Sequence, residues 1–282
     1  MPYGNAFTGI HPTDFGLSDA YAGVMKGVAL TINPNLHFID LTHQIQAQDI
    51  AQGSFTLGVN HRYFPKDAIH VAVVDPGVGT ARRSILLSTP WGRFVGPDNG
   101  LLSGVLSRYM DSVPLTSGIV KPPTKLSVVH LTDTKYWHHP VSNTFHGRDV
   151  FTPVAAHLSL GVPPEEMGET VDNLFYLPTP QPKHQQGIIT GQVIYQDVYG
   201  NLVTNIASSD LPLGGHTEVR IGDHRISGIS YTFNDPGRRD DVKLVALVGS
   251  HGYLEVAVPN GSAADTLGII RGQHLQVVVV SG

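Results

Sequence analysis

The chain has 282 residues, of which 41% are hydrophobic and 15% charged, with a formal net charge of -5 at pH 7 and no cysteine. This composition predicts a globular protein of one large or two ordinary domains, and it excludes disulfides, thiolate catalysis and the basic footprint of a nucleic-acid-binding protein. No apolar run approaches the roughly 20 residues that span a bilayer, and residues 1–13 lack the features of a signal peptide, so we expect a cytoplasmic protein with no membrane or nucleic-acid partner.

The first half of the chain alternates between helix-like and strand-like segments. Apolar residues recur at helical spacing after Asp19 and again after Asp49, and each of these two acids is a candidate N-cap. Between and after these helices the sequence shows strand patterns, including a fully apolar run, Ile69 to Val74. This alternation predicts an α/β N-terminal domain with a mixed or parallel sheet and flanking helices. The predicted elements are helices over 20–30 and 49–59 and strands over 36–41, 69–74 and 84–88.

The elements that follow are more irregular. We expect a helix over 99–109, with Asp98 and Asn99 as its cap, strand character over 117–134, and a helix over 150–160. Prolines at 178, 180 and 182 then predict a semi-rigid linker. The expected domains are therefore 1–177, a linker over 178–187, and 188–282.

The last hundred residues have a different pattern. Short strand candidates follow one another with turns between them, and no helix is apparent. This pattern predicts an all-β domain, a small barrel or sandwich. The strand candidates lie at 188–195, 201–206, 218–221, 226–229, 243–248, 253–258 and 274–280.

Asp75 is the strongest candidate for a functional residue. It ends the apolar run and begins a Gly/Pro turn, and open α/β sheets bind their ligands at the carboxyl ends of strands. Arg82 follows seven residues later, within reach of the same turn. A salt bridge that only braces the turn is the alternative interpretation.

Two further polar positions are candidates, each with a structural alternative. His146 lies beside a glycine before a predicted helix, which suits an acid or base, although most histidines are structural. Asp14 precedes the first helix, where it would cap a turn or accept hydrogen bonds from sugar hydroxyls. The turns at 196–201, 250–253 and 260–263 are read as hairpin chemistry when taken alone. We find no metal-binding or phosphate-binding motif, so a nucleoside-like ligand without phosphates fits better.

Six blocks of the sequence span most of the chain: TDFGLSDAYAGVMKG (13–27), FPKDAIHVAVVDPGVGTARR (64–83), VGPDNGLLS (95–103), TFHGRD (144–149), DVYGNLVTNI (197–206) and GSHGYLEVAVPNGSAA (249–264). In this order they resemble the S-adenosyl-L-methionine (SAM) hydroxide adenosyltransferases, which are SAM hydrolases similar to fluorinase and chlorinase. The resemblance implies an α/β N-terminal domain, a C-terminal β-barrel, and a homotrimer with active sites between one subunit's N-terminal domain and its neighbour's C-terminal domain.

The resemblance also implies a reaction and a set of residues. SAM and water give adenosine and L-methionine, with no cofactor and no metal. The water would be held and activated by Asp75, Arg82 and His146, which match the family's catalytic residues. The substrate-binding residues implied are Asp14, Asp19, Phe145, Gly147, Asp197, Tyr199, Asn201 and Ser250.

The halogenating relatives offer an alternative nucleophile. Fluorinases resemble this chain but have a tyrosine in place of Asp75, lack the histidine of the TFHGRD block and carry an insertion between Arg83 and Phe94. The sequence therefore favours hydrolysis, with chloride as nucleophile or a non-catalytic SAM-binding protein as alternatives. Three departures from the family pattern stand out: an irregular first strand over 6–12, a long segment over 117–142 that would be a lid or a trimer contact, and His251 near the expected adenine site.

Overall fold

A computed structural model describes residues 7–212, 217–234, 244–269 and 276–281 of the chain. The chain divides into two compact units, Met1–Pro178 and Thr179–Gly282. Within the described ranges, no helix combines the length and apolar character that a membrane span requires. Each unit has its own hydrophobic core, and we describe the two in turn.

The first unit is a sheet covered by helices on both faces. The strands are β1 (Phe7–Thr13), β2 (His37–Asp40), β3 (Ile69–Val73), β4 (Ser84–Thr89), β5 (Gly92–Pro97), β6 (Gly118–Val120), β7 (Ser127–Leu131), β8 (Gly168–Val171) and β9 (Leu174–Tyr176). The helices are α1 (Tyr21–Ile32), α2 (Ile50–Asn60), α3 (Ser103–Leu106) and α4 (Thr152–Ser159). The α/β alternation predicted from the sequence is confirmed.

The main sheet has seven strands in the order β2-β1-β3-β5-β4-β7-β8. Strands β2, β1, β3 and β5 run parallel, whereas β4, β7 and β8 pair antiparallel. The sheet is therefore mixed. The carboxyl ends of the parallel strands share one edge, and this edge positions the site described below.

Strand β3 is buried along its whole length because both of its faces are covered. Val71 and Val73 pack in one core cluster with Met25 of α1 and Val154 of α4. Alternate residues face the opposite cluster, which includes side chains of α2 and α3. This explains why the sequence of β3 is continuously apolar instead of alternating.

The helix predicted over 99–109 is wrong in extent. Only α3 is α-helical, and it is followed by a single 3₁₀ turn. Asp98 does not cap it: its carboxylate accepts from Arg83 Nη2 at 2.6 Å and from the Phe175 amide at 2.7 Å. A guanidinium and an amide from other elements therefore hold the carboxylate away from the helix.

The two earlier cap predictions have opposite outcomes. Asp49 caps α2 by accepting from the Gln52 amide at 2.8 Å, as predicted. The N-cap of α1 is Ala20, which has no side-chain cap bond, so the prediction for Asp19 is wrong.

Two segments that depart from the family pattern, the first strand and residues 117–142, form part of the fold of the first unit. The pairing of β1 with β3 shifts register between Ile10 and Thr13, which confirms the expected distortion of the first strand. The segment 117–142 contributes β7 to the main sheet, between β4 and β8, and β6 to a two-stranded ladder with β9. Most of this segment is therefore part of the fold.

The second unit is rich in strands, as predicted. The strands are β10 (Lys183–Gln185), β11 (Ile188–Gln196), β12 (Leu202–Ala207), β13 (Thr217–Ile221), β14 (His224–Ser227), β15 (Val245–Val248), β16 (Tyr253–Ala257) and β17 (Gln276–Ser281). Seven pair in the order β14-β13-β17-β11-β12-β16-β15, and β10 pairs with β11. The segment 178–187 is thus not a linker throughout, because β10 lies within it.

The second unit also contains a helix that the sequence analysis missed, α5 (Ala263–Leu267). Ser262 caps it by accepting from the Asp265 amide at 3.1 Å. The segment just after β14 contacts β15, at the other end of the sheet path, through a hydrogen bond from the Ser230 amide to the Ala246 carbonyl at 2.7 Å. No closed barrel is found among the described strands.

Helices α2 and α3 cross where glycines allow their backbones to touch. A Cβ on Gly104 would collide with the carbonyl of Ser54, and a Cβ on Gly58 would lie 2.7 Å from the Gly104 backbone. In contrast, a Cβ on Gly27 of α1 would meet nothing within 4 Å. We therefore expect opposite effects from one substitution at two helical glycines.

Gly104→Ala should lower the free energy of unfolding by about 1–3 kcal/mol, because the backbones must move apart. Gly27→Ala, the matched control, should raise it by about 0.5–1 kcal/mol by removing backbone entropy from the unfolded chain. Urea denaturation followed by circular dichroism measures both. A Gly104→Ala protein as stable as the unsubstituted chain would show that the helix crossing is looser than described.

Candidate active site

Three loops meet at the carboxyl edge of the parallel strands. They follow β1, β2 and β3 and carry Asp14, Gln48 and Asp75. All three residues line one cavity of ≈ 480 Å³. Because parallel strands end at the same edge, the fold brings together side chains that are far apart in sequence.

Asp75 forms an ion pair with Arg82 immediately after β3. Arg82 Nε donates to Asp75 Oδ1 at 2.9 Å, and Arg82 Nη2 donates to Oδ2 at 2.5 Å. The two side chains are 5% and 9% exposed. A two-pronged contact of this kind fixes the plane of the carboxylate as well as its position. Each carboxylate oxygen keeps lone-pair capacity for a ligand.

His146 shares the same guanidinium. Arg82 Nη2 lies 2.9 Å from His146 Nδ1, and since a guanidinium can only donate, Nδ1 is the acceptor. Burial of the imidazole, followed by the charge of Arg82, holds the pKa of His146 below its ordinary value, against the opposite pull of Asp75 and Asp149. The ring is therefore neutral at pH 7, and its hydrogen is on Nε2.

The segment that presents His146 is held by a buried acid, Asp149. Its carboxylate accepts from Arg148 Nε at 2.6 Å and from the Ser142 amide at 2.8 Å. Directly after His146 the chain forms a π-helical turn, Gly147–Phe151, before α4 begins. Such turns are frequent at functional sites because they change the direction of a side chain within a helix.

The structure places most of the predicted residues of the first unit together. Asp75 and His146 line the cavity, whereas Arg82 is not among the lining residues and braces both of them from outside it. The other predicted residues that line the cavity are Asp14, Asp19, Phe145 and Gly147.

An aromatic wall completes this cavity, and the sequence analysis missed two of its three members. The rings of Phe15 and Tyr21 lie tilted against each other, with their centroids 5.3 Å apart. Phe145 contacts both rings in edge-to-face geometry, at 5.8 and 5.1 Å. Helical spacing assigned Tyr21 to the helix but gave no signal that it faces a cavity.

A second cavity, of ≈ 830 Å³, lies in the second unit. Its lining includes the four residues predicted there, Asp197, Tyr199, Asn201 and Ser250. Also in the lining, and not predicted as substrate contacts, are Tyr195, Tyr231, Phe233, Asn234, His251 and Glu255. His251 Nε2 lies 3.2 Å from Glu255 Oε2. A buried acid two residues into a strand has no short motif, so sequence spacing could not reveal it.

Asp197 already has several partners within its own turn. Its Oδ1 accepts from the amides of Tyr199 and Asn201, both at 2.9 Å, and its Oδ2 accepts from Asn201 Nδ2 at 2.8 Å. Gly200 follows Tyr199 in the left-handed region, with φ 82°. The carboxylate therefore fixes the turn that presents Tyr199, whose side chain is 75% exposed.

Two family models match most of the chain. Residues 12–168 match the SAM hydroxide adenosyltransferase N-terminal domain, and residues 191–276 match the C-terminal domain of the same name. The chain belongs to the SAM hydroxide adenosyltransferase family. Both cavities lie within the matched regions, and so do the candidate residues in them.

Individual proteins are similar to most of the chain. A (R)-S-adenosyl-L-methionine hydrolase of Thermus thermophilus is 38% identical, covering 94% of this chain and 97% of that protein. A fluorinase of an Actinoplanes species is 25% identical, covering 87% and 88%. An uncharacterized conserved protein of Thermotoga maritima has a crystal structure with a TM-score of 0.82 at 30% identity, covering 96% and 99%.

The adjacent arginines allow a paired test of the site electrostatics. Arg82 is among the charges that lower the pKa of His146, and Arg83 is among those that lower the pKa of His130, after burial in each case. Arg82→Gln should therefore raise the pKa of His146, because the carboxylates near that ring remain. It should leave the pKa of His130 in place, because the charge that lowers this pKa is that of Arg83. Arg83→Gln should do the reverse. Titration of the imidazole NMR signals measures both values in each variant, and parallel shifts in both variants would contradict this assignment.

Proposed function

We propose that this chain hydrolyses S-adenosyl-L-methionine to adenosine and L-methionine by in-line attack of water on the ribose C5′. One observation supports this most directly: a buried Asp75–Arg82 ion pair holds a carboxylate and a neutral histidine at the edge of a cavity. The similarity to curated SAM hydrolases over nearly the whole chain supports the same reaction.

The chemistry requires help for the nucleophile and little for the leaving group. The sulfonium of SAM departs as a neutral thioether, so no general acid is needed to expel it, and we propose that no cofactor takes part. Water is a weak nucleophile and must approach C5′ opposite the sulfur. Orientation of that water would supply a large part of the rate enhancement.

Asp75 and His146 divide the work on the water. Asp75 accepts a proton from it, since the carboxylate keeps free lone pairs beside the Arg82 contacts. His146 Nδ1 is occupied by Arg82, so the ring offers its Nε2 hydrogen to the water oxygen and stabilises developing hydroxide. Arg82 touches neither C5′ nor the water in this scheme and is a positioning residue.

The same charges argue against a halide nucleophile. A carboxylate in the reacting cavity repels an anion, whereas it accepts a hydrogen bond from water. Asp75 therefore favours water over chloride. Because the chain is similar to fluorinases, which use a halide, the assay includes chloride as the alternative nucleophile.

We assign the substrate contacts by chemistry. Asp14 accepts hydrogen bonds from the ribose hydroxyls, with Asp19, Phe145 and Gly147 lining the same cavity. In the second unit, Tyr199, Asn201 and Ser250 contact the remainder of SAM, and Asp197 fixes the turn of Tyr199 and Asn201.

We also propose that the protein is a homotrimer in which the first unit of one subunit and the second unit of its neighbour complete one active site. Each unit carries one cavity lined by candidate residues, which supports a site built from two parts. A closed barrel in the second unit belongs to this proposal, supported by the hydrogen bond between the segment just after β14 and β15.

Asp75→Asn should reduce kcat by at least about 100-fold, because the amide cannot take the proton from water. The SAM dissociation constant should change by no more than a few-fold, since the side chain keeps its shape. Chromatography with mass detection follows adenosine and methionine in halide-free buffer, using both sulfonium epimers. Asp67→Asn, which alters an exposed acid outside the cavity, is the control.

The outcomes of this assay separate the three functions. Turnover by the unsubstituted chain, with ¹⁸O from labelled water in the 5′-hydroxyl of adenosine, supports hydrolysis. A 5′-chloro-adenosine that forms only with chloride would assign halogenation instead. Binding of SAM without any product would leave a binding protein, and full activity of Asp75→Asn would remove Asp75 from the mechanism.

Mixing inactive variants tests the two-subunit site. Ser250→Arg would fill the cavity of the second unit, and Asp75→Asn would remove the proton acceptor from the cavity of the first unit. Co-expression of the two chains should restore up to about one quarter of the activity if subunits mix at random in a closed ring. The pair Asp75→Asn and His146→Ala, both in the first unit, should restore none. Sedimentation equilibrium should give three times the 30.3 kDa chain mass, and no recovery from the first pair would contradict the shared site.

A further inference from the structure

A chain of polar contacts lies behind the loop that carries Asp14. Thr13 Oγ1 lies 2.8 Å from His43 Nδ1. On the other side of the ring, His43 Nε2 lies 3.4 Å from Asp40 Oδ1. Asp40 Oδ2 in turn accepts from Lys26 Nζ at 2.6 Å. We call Thr13, His43, Asp40 and Lys26 the relay.

The relay has one consistent direction. The Asp40 carboxylate can only accept, so its charge selects the tautomer with hydrogen on His43 Nε2. His43 Nδ1 then accepts from the Thr13 hydroxyl. The Thr13 oxygen in turn accepts from the Phe15 amide at 3.4 Å, in the loop beyond Asp14. The contact between His43 and Asp40 acts through charge, because His43 Nε2 makes no hydrogen bond among the described residues.

The relay has the connectivity of a hydrolytic triad, yet its burial excludes that role. Thr13 is fully buried and His43 is 4% exposed. Neither side chain is among the residues that line the cavity. No substrate reaches the Thr13 hydroxyl, so the relay acts through the structure it holds.

The relay lies beside a set of hydrogen bonds that join the end of β1 and its following loop to the loop after β2. We call these hydrogen bonds the clamp. The Thr13 amide donates to the Thr42 carbonyl at 3.0 Å, and the Gly16 amide donates to the His43 carbonyl at 2.7 Å. From the same second loop, the Gln48 amide donates to Asp14 Oδ2 at 2.8 Å. Gln48 has φ 66°, a left-handed conformation that a non-glycine residue adopts only where its surroundings impose it.

We infer that Thr13 and His43, supported by Asp40 and Lys26, are positioning residues that set the orientation of the Asp14 carboxylate for a vicinal diol of the ligand. The clamp fixes Oδ2 through Gln48 and leaves Oδ1 for the sugar hydroxyls. This inference rests on the proposed function for the identity of the sugar. It assigns binding of the ribose, and not the attack of water, to the relay.

Thr13→Val tests the inference because it removes the hydroxyl and keeps the shape. KM for SAM should rise roughly 3- to 10-fold, the equivalent of one lost hydrogen bond, with kcat within about 2-fold. Thr13→Ser restores the hydroxyl and should restore KM. Thr56→Val is the matched control, because Thr56 is also buried and its hydroxyl has no hydrogen-bond partner among the described residues. It should leave KM unchanged.

A double-mutant cycle with Asp14→Ala separates positioning from loss of stability. If Thr13 acts through Asp14, adding Thr13→Val to Asp14→Ala should change KM by less than about 2-fold. A multiplicative effect, or an unchanged KM in Thr13→Val alone, would overturn the inference.

Adenosine is the second probe, because it carries the same diol and its binding is measured by calorimetry without turnover. A weaker adenosine affinity in Thr13→Val supports the relay even if the unsubstituted chain does not hydrolyse SAM, a result that would overturn only the proposed function. If adenosine binds the two proteins equally, the relay does not position the diol site.

Discussion

The ion pair between Asp75 and Arg82 is the interaction on which the candidate site depends. Taking two charges out of water costs several kcal/mol per ion, and only good geometry with further hydrogen bonds offsets that cost. Arg82 meets this requirement: beside Asp75 and His146 it donates to Ser84 Oγ at 2.9 Å and to the Arg83 carbonyl at 3.3 Å. One guanidinium thus links the end of β3, the start of β4 and the segment before α4. Removal of Arg82 would leave a buried carboxylate unpaired and release two elements at once.

The sequence predicted some residues of this site and not others. Asp75 was predictable because a continuous apolar strand ends on it, and the end of a buried parallel strand is where α/β sheets bind ligands. Gln48 lies closer to the start of α2 than to the end of β2, so this rule does not select it. His43 and Thr13 gave no such signal, because a buried histidine is recognised only through its partners, and these come from α1, β1 and β2.

The errors in the fold have a common physical origin in tertiary contacts. Asp98 has the sequence context of a helix cap, but its carboxylate binds the guanidinium of Arg83 instead. A charged donor makes a stronger hydrogen bond than a backbone amide. Helix α5 has only five residues, which is too short for periodicity to show, and Ser262 was read as part of a turn. The strands of the second unit, apart from β10, were predicted more reliably, because their apolar faces are fixed by its core.

Exposed aromatic side chains in the second unit support the proposal of a shared active site. Large aromatic side chains around its cavity are left in solvent, with Tyr199 75%, Tyr231 96% and Phe233 42% exposed. Tyrosine and phenylalanine rings dominate the energetics of protein interfaces, and exposed apolar patches rimmed by polar groups mark binding surfaces. The hydrogen bonds to Asp197 fix the backbone of the turn that presents Tyr199, so less backbone entropy is lost when this ring is buried. A neighbouring subunit and the substrate would cover these rings together, and burial of the aromatic surface would then couple assembly to substrate binding.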